Sequence, residues 1–125
     1  MTVLADFVAI SHGSSASQEG KWKSQPFESG GRKTLIIDDK EQHNAYVTLS
    51  LGSPDGGPEV NIRVIVNNHP LPLLEPIGKD GRQTVVLTFP ASLLKNGTGN
   101  ILELHSQHEV NFFVFYALCH FRQDS

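Results

Sequence analysis

Four stretches of the chain alternate between apolar and polar positions. In Asn44–Leu51, Ala45, Val47, Leu49 and Leu51 point one way, and Tyr46, Thr48 and Ser50 the other. Val60–Asn67 sets Val60, Ile62, Val64 and Val66 against Asn61, Arg63 and Asn67, with Ile65 the one apolar residue on the polar side. Thr84–Phe89 sets Val85, Leu87 and Phe89 against Thr84, Val86 and Thr88, and Asn100–His105 sets Leu102 and Leu104 against Ile101, Glu103 and His105. A period of two marks a strand with one dry and one wetter face, as in antiparallel sheets with a solvated side.

Two further runs are apolar on both sides. Val3–Ser11 carries Val3, Ala5, Phe7 and Ala9 on one side and Leu4, Val8 and Ile10 on the other, and reads as a covered or paired first strand. In Val110–Phe121, strict alternation puts Phe112, Val114, Tyr116 and Leu118 on one face and Phe113, Phe115, Ala117, Cys119 and Phe121 on the other. A sandwich strand needs one apolar face, so the second set must meet a covering loop, the N-terminal strand or another subunit. Large exposed apolar patches mark contacts, and two-fold pairing closes most simply. A homodimer through Phe113, Phe115 and Phe121 is the expectation.

Punctuation divides the remaining chain. Trp22–Phe27 is an extended run that Pro26 confines to an edge or a bulge. Gly30-Gly31 is a turn before a strand at Lys33–Ile37, a charged connection follows it, and Ser53–Pro58 is the strongest turn signal. The three prolines of Pro70–Pro76 prevent continuous pairing. Pro90 suits the first position of one helical turn, and Asn96–Asn100 tolerates the positive φ needed to re-enter a sheet. Seven or eight strands with no convincing helix give an all-β antiparallel β-sandwich, one domain over residues 1–125.

The stretch from Phe89 to Leu104, F-P-A-x-L-L-K-x-G-x-x-N-x-L-x-L flanked by strands, resembles the late strands of galactose-binding-like jelly rolls. These are the β-sandwich modules appended to glycoside hydrolases and polysaccharide lyases. Val60–Leu71 resembles the strand of those modules that ends on an Asn-containing turn. The likeness covers about the second half of the chain and implies a jelly-roll topology and a non-catalytic, lectin-like role with a carbohydrate ligand.

The chain has 125 residues and a net charge of −3, with ten Lys and Arg scattered along it. Without a basic block, no nucleic-acid partner is expected. No apolar run approaches the ~20 residues of a membrane span, so no membrane partner is expected either. The apolar N-terminus lacks a basic flank and is interrupted by Asp6. It reads as a strand rather than a signal peptide, which leaves a cytoplasmic location as the default. Cys119 is the single cysteine, so no internal disulfide or Cys-based zinc site can form, and its apolar run suggests a buried, inert thiol.

Sugar recognition needs a flat ring to stack on a pyranose and a few fixed polar groups to read its hydroxyls. Trp22 and Tyr46 supply rings; Arg63, Asn67, Asn68 and His69 supply hydrogen-bonding groups. If Asn44–Leu51 and Val60–Asn67 are neighbours, Tyr46, Arg63 and Asn67 share one polar face. Each of these residues also has a structural reading, Trp22 as edge packing and Arg63 as a solvating side chain. Among six histidines only His105 and His108 cluster, three residues apart, which on a strand means opposite faces. No metal or other cofactor is expected. Two rival functions stand beside carbohydrate binding: a protein-interaction or structural sandwich, and a small jelly-roll enzyme using His105 or His108.

Overall fold

The computed structural model describes residues 3–11, 13–29, 45–53, 59–78, 81–95 and 97–124, with backbone alone at 3–6 and 122–124. The strand expected at Lys33–Ile37, the connection after it, the Gly30-Gly31 turn and residues 54–58 of the expected Ser53–Pro58 turn lie outside the described residues. The strands are β1 (Val3–Ser11), β2 (Ser15–Ala16), β3 (Lys21–Lys23), β4 (Phe27–Ser29), β5 (Ala45–Gly52), β6 (Ile62–Val66), β7 (His69–Pro70), β8 (Arg82–Phe89), β9 (Gly97–Asn100), β10 (Leu102–Ser106) and β11 (Phe113–Asp124). One sheet runs β1-β11-β5-β8, with β2 also on β11; a second runs β3-β10-β6-β7; β4 and β9 form a third, small pair. The protein is an all-β, antiparallel jelly-roll β-sandwich.

The core lies between the two larger sheets. Val47, Leu49, Leu51, Ala117 and Cys119 come from one sheet, and Ile62, Val64, Val66, Leu102 and Leu104 from the other, all buried. The alternation read in β5, β6, β8 and β10 therefore gives the correct inward faces. Partnership is another matter. β5 pairs with β11 and β8, whereas β6 pairs with β10 and β7, so the two strands expected to be neighbours sit in opposite sheets. Alternation fixes which way a strand faces and says nothing about which strand lies beside it.

The Pro90 segment likewise carries the chain from one sheet to the other. Pro90, at φ −65°, precedes a single 3-10 turn over Ala91–Leu93, and Leu94 is buried beneath the crossing. Pro26 divides the Trp22–Phe27 run into β3 and β4, which belong to different sheets.

The face assignment of the last strand is corrected by a bulge. Val114 pairs with Leu51 but Tyr116 with Ser50, leaving Phe115 as the extra residue. Inward positions are Phe112 and Val114 before it, then Ala117, Cys119 and Phe121 after it. Phe121 is thus a core residue, only 5% exposed. Phe113 and Phe115 are half-buried and tilt against each other at 6.3 Å, with the Arg82 guanidinium 4.1 Å above the Phe115 ring. The three-ring face expected to pair a homodimer is not assembled.

Asn100 ties the crossing together. Its buried Oδ1 accepts from the Lys95 amide at 2.7 Å and from Asn67 Nδ2 at 2.9 Å, and its Nδ2 donates to the carbonyls of Phe27, Lys95 and Gly97. Asn67 and Asn68, at φ 48° and 68°, form the two-residue loop between β6 and β7, the conformation of a type I′ hairpin turn. Asn67 also donates to the Leu93 carbonyl and accepts from the Ile101 amide, both at 2.8 Å. Because these groups have no water to fall back on, Asn100→Ala should cost about 2–3 kcal/mol. Urea titration checks this, and a loss below about 1 kcal/mol would show that the network is dispensable.

Candidate functional site

The structure does not bring together the six residues expected to bind ligand. Trp22 lies opposite Leu104 on the inner face of β3, 8% exposed, and its Nε1–H donates to Ser15 Oγ at 2.8 Å. Its ring is part of the core and has no face to offer a sugar. The signal was present in Lys21-Trp22-Lys23, since two flanking charges on a strand send the middle residue inward.

Asn67 spends its amide on the turn network described above. His69 is exposed, with Nδ1 3.0 Å from the Asn67 carbonyl. Arg63 stands on the outer face of β6, in register with His105, and its Nη1 donates weakly to the Leu71 carbonyl at 3.4 Å. Tyr46 is on the outer face of β5, in the other sheet. Tyr46 and Arg63 therefore occupy opposite outer surfaces of the sandwich.

A different arrangement gathers around Tyr46. Phe7, His120, Tyr46 and Thr88 stand in register across β1, β11, β5 and β8. The His120 imidazole stacks on the Tyr46 ring at 4.3 Å and 9°, and Phe7 tilts against His120 at 5.8 Å. Phe7 is 60% exposed and Tyr46 38%. In the next row stand Ala9, Leu118, Thr48 and Val86, the last also 60% exposed. Since His120 covers one face of the Tyr46 ring, the opposite face is turned towards β8, where Thr88 and Val86 present a hydroxyl and an apolar surface. Phe7 and His120 were missed because unbroken alternation through β11 places His120 inside; only the bulge turns it outward.

The second sheet carries a polar concavity of about 160 Å³, lined by Lys23, Asn68, Lys95, Ile101 and Glu103 around the turn held by Asn67. Glu103 Oε2 lies 3.0 Å from His105 Nε2. His108 sits exposed in the short turn Gln107–Glu109 at φ 57°, so His105 faces a carboxylate on its own strand rather than a second histidine. Among the described residues, no three His, Cys, Asp or Glu side chains converge as a metal site.

No protein-family model and no curated protein matches the chain. Among solved structures it is similar to the carbohydrate-binding CBM36-1 domain of a multidomain xylanase from the hindgut metagenome of Trinervitermes trinervoides. That match has a TM-score of 0.55 at 9% identity and covers 94% of this chain and 96% of the other. At that identity the likeness shows a shared β-sandwich fold. Two further matches are a chain of the IBDV viral particle and an exo-beta-1,3-galactanase from Phanerochaete chrysosporium. Their TM-scores are 0.49 and 0.44, at 9% and 11% identity over 94% and 86% of this chain, which spans only 30% and 29% of theirs.

Cys119 lies between the sheets, and burial pushes its thiol up to about 12 from the ordinary 9.0. It is neutral at physiological pH and shielded from reagents. The raised value also makes it a pH-dependent stabiliser. Its contribution is whole below the unfolded-state value near 9 and is lost as pH rises towards 12, because the unfolded chain releases the proton first. Between pH 9 and 11, Cys119→Val should lose less stability than the parent, as read by urea titrations at each pH. Parallel losses would show that the thiol titrates alike in both states.

Proposed function

We propose that this protein is a non-catalytic carbohydrate-binding sandwich that holds its ligand on the outer face of the β1-β11-β5-β8 sheet, against Tyr46. The observation that carries this reading is the exposed row Phe7–His120–Tyr46 on a fold shared with a carbohydrate-binding domain. A pyranose presents a face of C–H groups that packs on an aromatic ring, while its hydroxyls need donors and acceptors beside that ring. Tyr46 supplies the ring, and Thr88 and Thr48 supply hydroxyls within the same two strands. The stacked imidazole behind Tyr46 fixes the ring before ligand arrives, which lowers the entropy cost of binding. A sheet face is open at both ends, so it suits a glycan chain lying across the strands.

The rival reading is a protein ligand on the same face, favoured by the exposed Phe7 and Val86. The expected homodimer is one form of that rival, moved here from the ring face that the bulge does not build. A glycan array followed by calorimetry separates the two. Tyr46→Ala should weaken the best glycan at least about tenfold, or ~1.4 kcal/mol, with unchanged folding. A parent protein that binds no glycan, or Tyr46→Ala binding as the parent does, overturns the carbohydrate reading at this face.

A further inference from the structure

We propose that the concavity on the opposite sheet is a second ligand site, taking the carboxylate of an acidic sugar ring. Its walls come from three separate elements: Lys23 from β3, Lys95 from the crossing connection, and Asn68 from the β6–β7 turn, with Ile101 between them. Each is held by its backbone. The Lys95 amide is bound by Asn100 at 2.7 Å, Lys23 pairs in register with Glu103, and Asn68 is fixed in its turn at φ 68°.

The described lining carries two lysines and one glutamate, an excess of one positive charge. Neither lysine forms an ion pair among the described residues, where the one pair is Glu103 with His105. The carboxylate that lines the pocket has its contact partner on its own strand and stands in register opposite Lys23, and both lysines line the space. Asn68, exposed and with its side-chain amide unbonded among the described residues, adds a donor and an acceptor.

Size and charge narrow the ligand. The volume, about 160 Å³, is roughly half the ~300 Å³ at which drug-sized pockets begin, so one ring fits and a chain does not. Half-buried Ile101 offers that ring an apolar contact. Glu103 offsets one of the two lysines, which favours a monoanion over a phosphate dianion. Among the described residues, no arginine lines the pocket to grip a phosphate in bidentate fashion. The sugar rests on the carbohydrate reading above; the anion rests on the pocket alone.

Calorimetry with D-galacturonate, D-galactose, acetate and phosphate as probes tests this. Galacturonate should bind, galactose at least tenfold more weakly, and phosphate no more tightly than acetate. The double variant Lys23→Ala/Lys95→Ala, both exposed positions, should lose at least tenfold in galacturonate affinity. Salt raised from about 0.05 to 0.5 M should weaken the parent's binding as well. The same double variant should bind the best neutral glycan of the array as the parent does, so failure at the aromatic face and failure here are read separately. Absence of galacturonate binding at millimolar concentration, equal binding of galactose, or an unaffected double variant overturns the proposal. Phosphate binding more tightly than galacturonate also overturns it, as the mark of a general anion site.

Discussion

The single extra residue at Phe115 sets the character of both faces of the larger sheet. β11 is the strand that β1, β2 and β5 all pair with, so a change of phase in it is felt across the sheet. Before the bulge even-numbered residues face the core, and after it odd-numbered ones do. Ala117, Cys119 and Phe121 thereby enter the core, while Tyr116, Leu118 and His120 turn outward. Without that step His120 could not stand between Phe7 and Tyr46. The bulged ring itself lies close over Gly52, where an added Cβ would come within 2.7 Å of it, and Arg82 covers its other side. β1 answers with its own irregularity between Ala9 and Ser11, which keeps the two strands paired.

Much of the fold was legible because it depends on local alternation. The inward faces of β5, β6, β8 and β10, the helical turn after Pro90 and the Asn-containing turn at 67–68 are each set by a few consecutive residues. Strand order was not legible, because nothing in Asn44–Leu51 names β11 and β8 as its neighbours. The bulge was hidden for a related reason. In VNFFVFYALCHF nearly every position is apolar, so a change of phase leaves no trace in the hydrophobic pattern. Polar punctuation reveals register, and this strand has almost none.

The candidate site shows the same division. Tyr46 was singled out because its ring interrupts a polar face. Trp22 was misplaced because a large ring was given more weight than the lysines on either side of it. Asn67 was read as a ligand group, yet a residue at positive φ in a tight turn has backbone donors and acceptors around it that claim its amide first. A side chain with three short hydrogen bonds within the fold has little capacity left for a ligand. Its contribution is to shape the concavity that its neighbours Asn68 and Lys95 line.

These constraints give the two outer surfaces different chemistry. On one, the outward positions are Phe7, Tyr46, Val86, Leu118 and threonines, a surface suited to apolar contact with a few hydroxyls. On the other, Lys21, Lys23, Arg63, Glu103 and His105 stand in register across β3, β10 and β6, a surface suited to charge. Both derive from the same rule, in which every inward residue of a strand obliges its neighbour to face out. The core fixes the inward half of each alternation and leaves the outward half free to differ. An aromatic row on one sheet and a lysine-lined concavity beside the other are therefore independent features. A substitution on one surface reaches the other only by disturbing the buried residues between them.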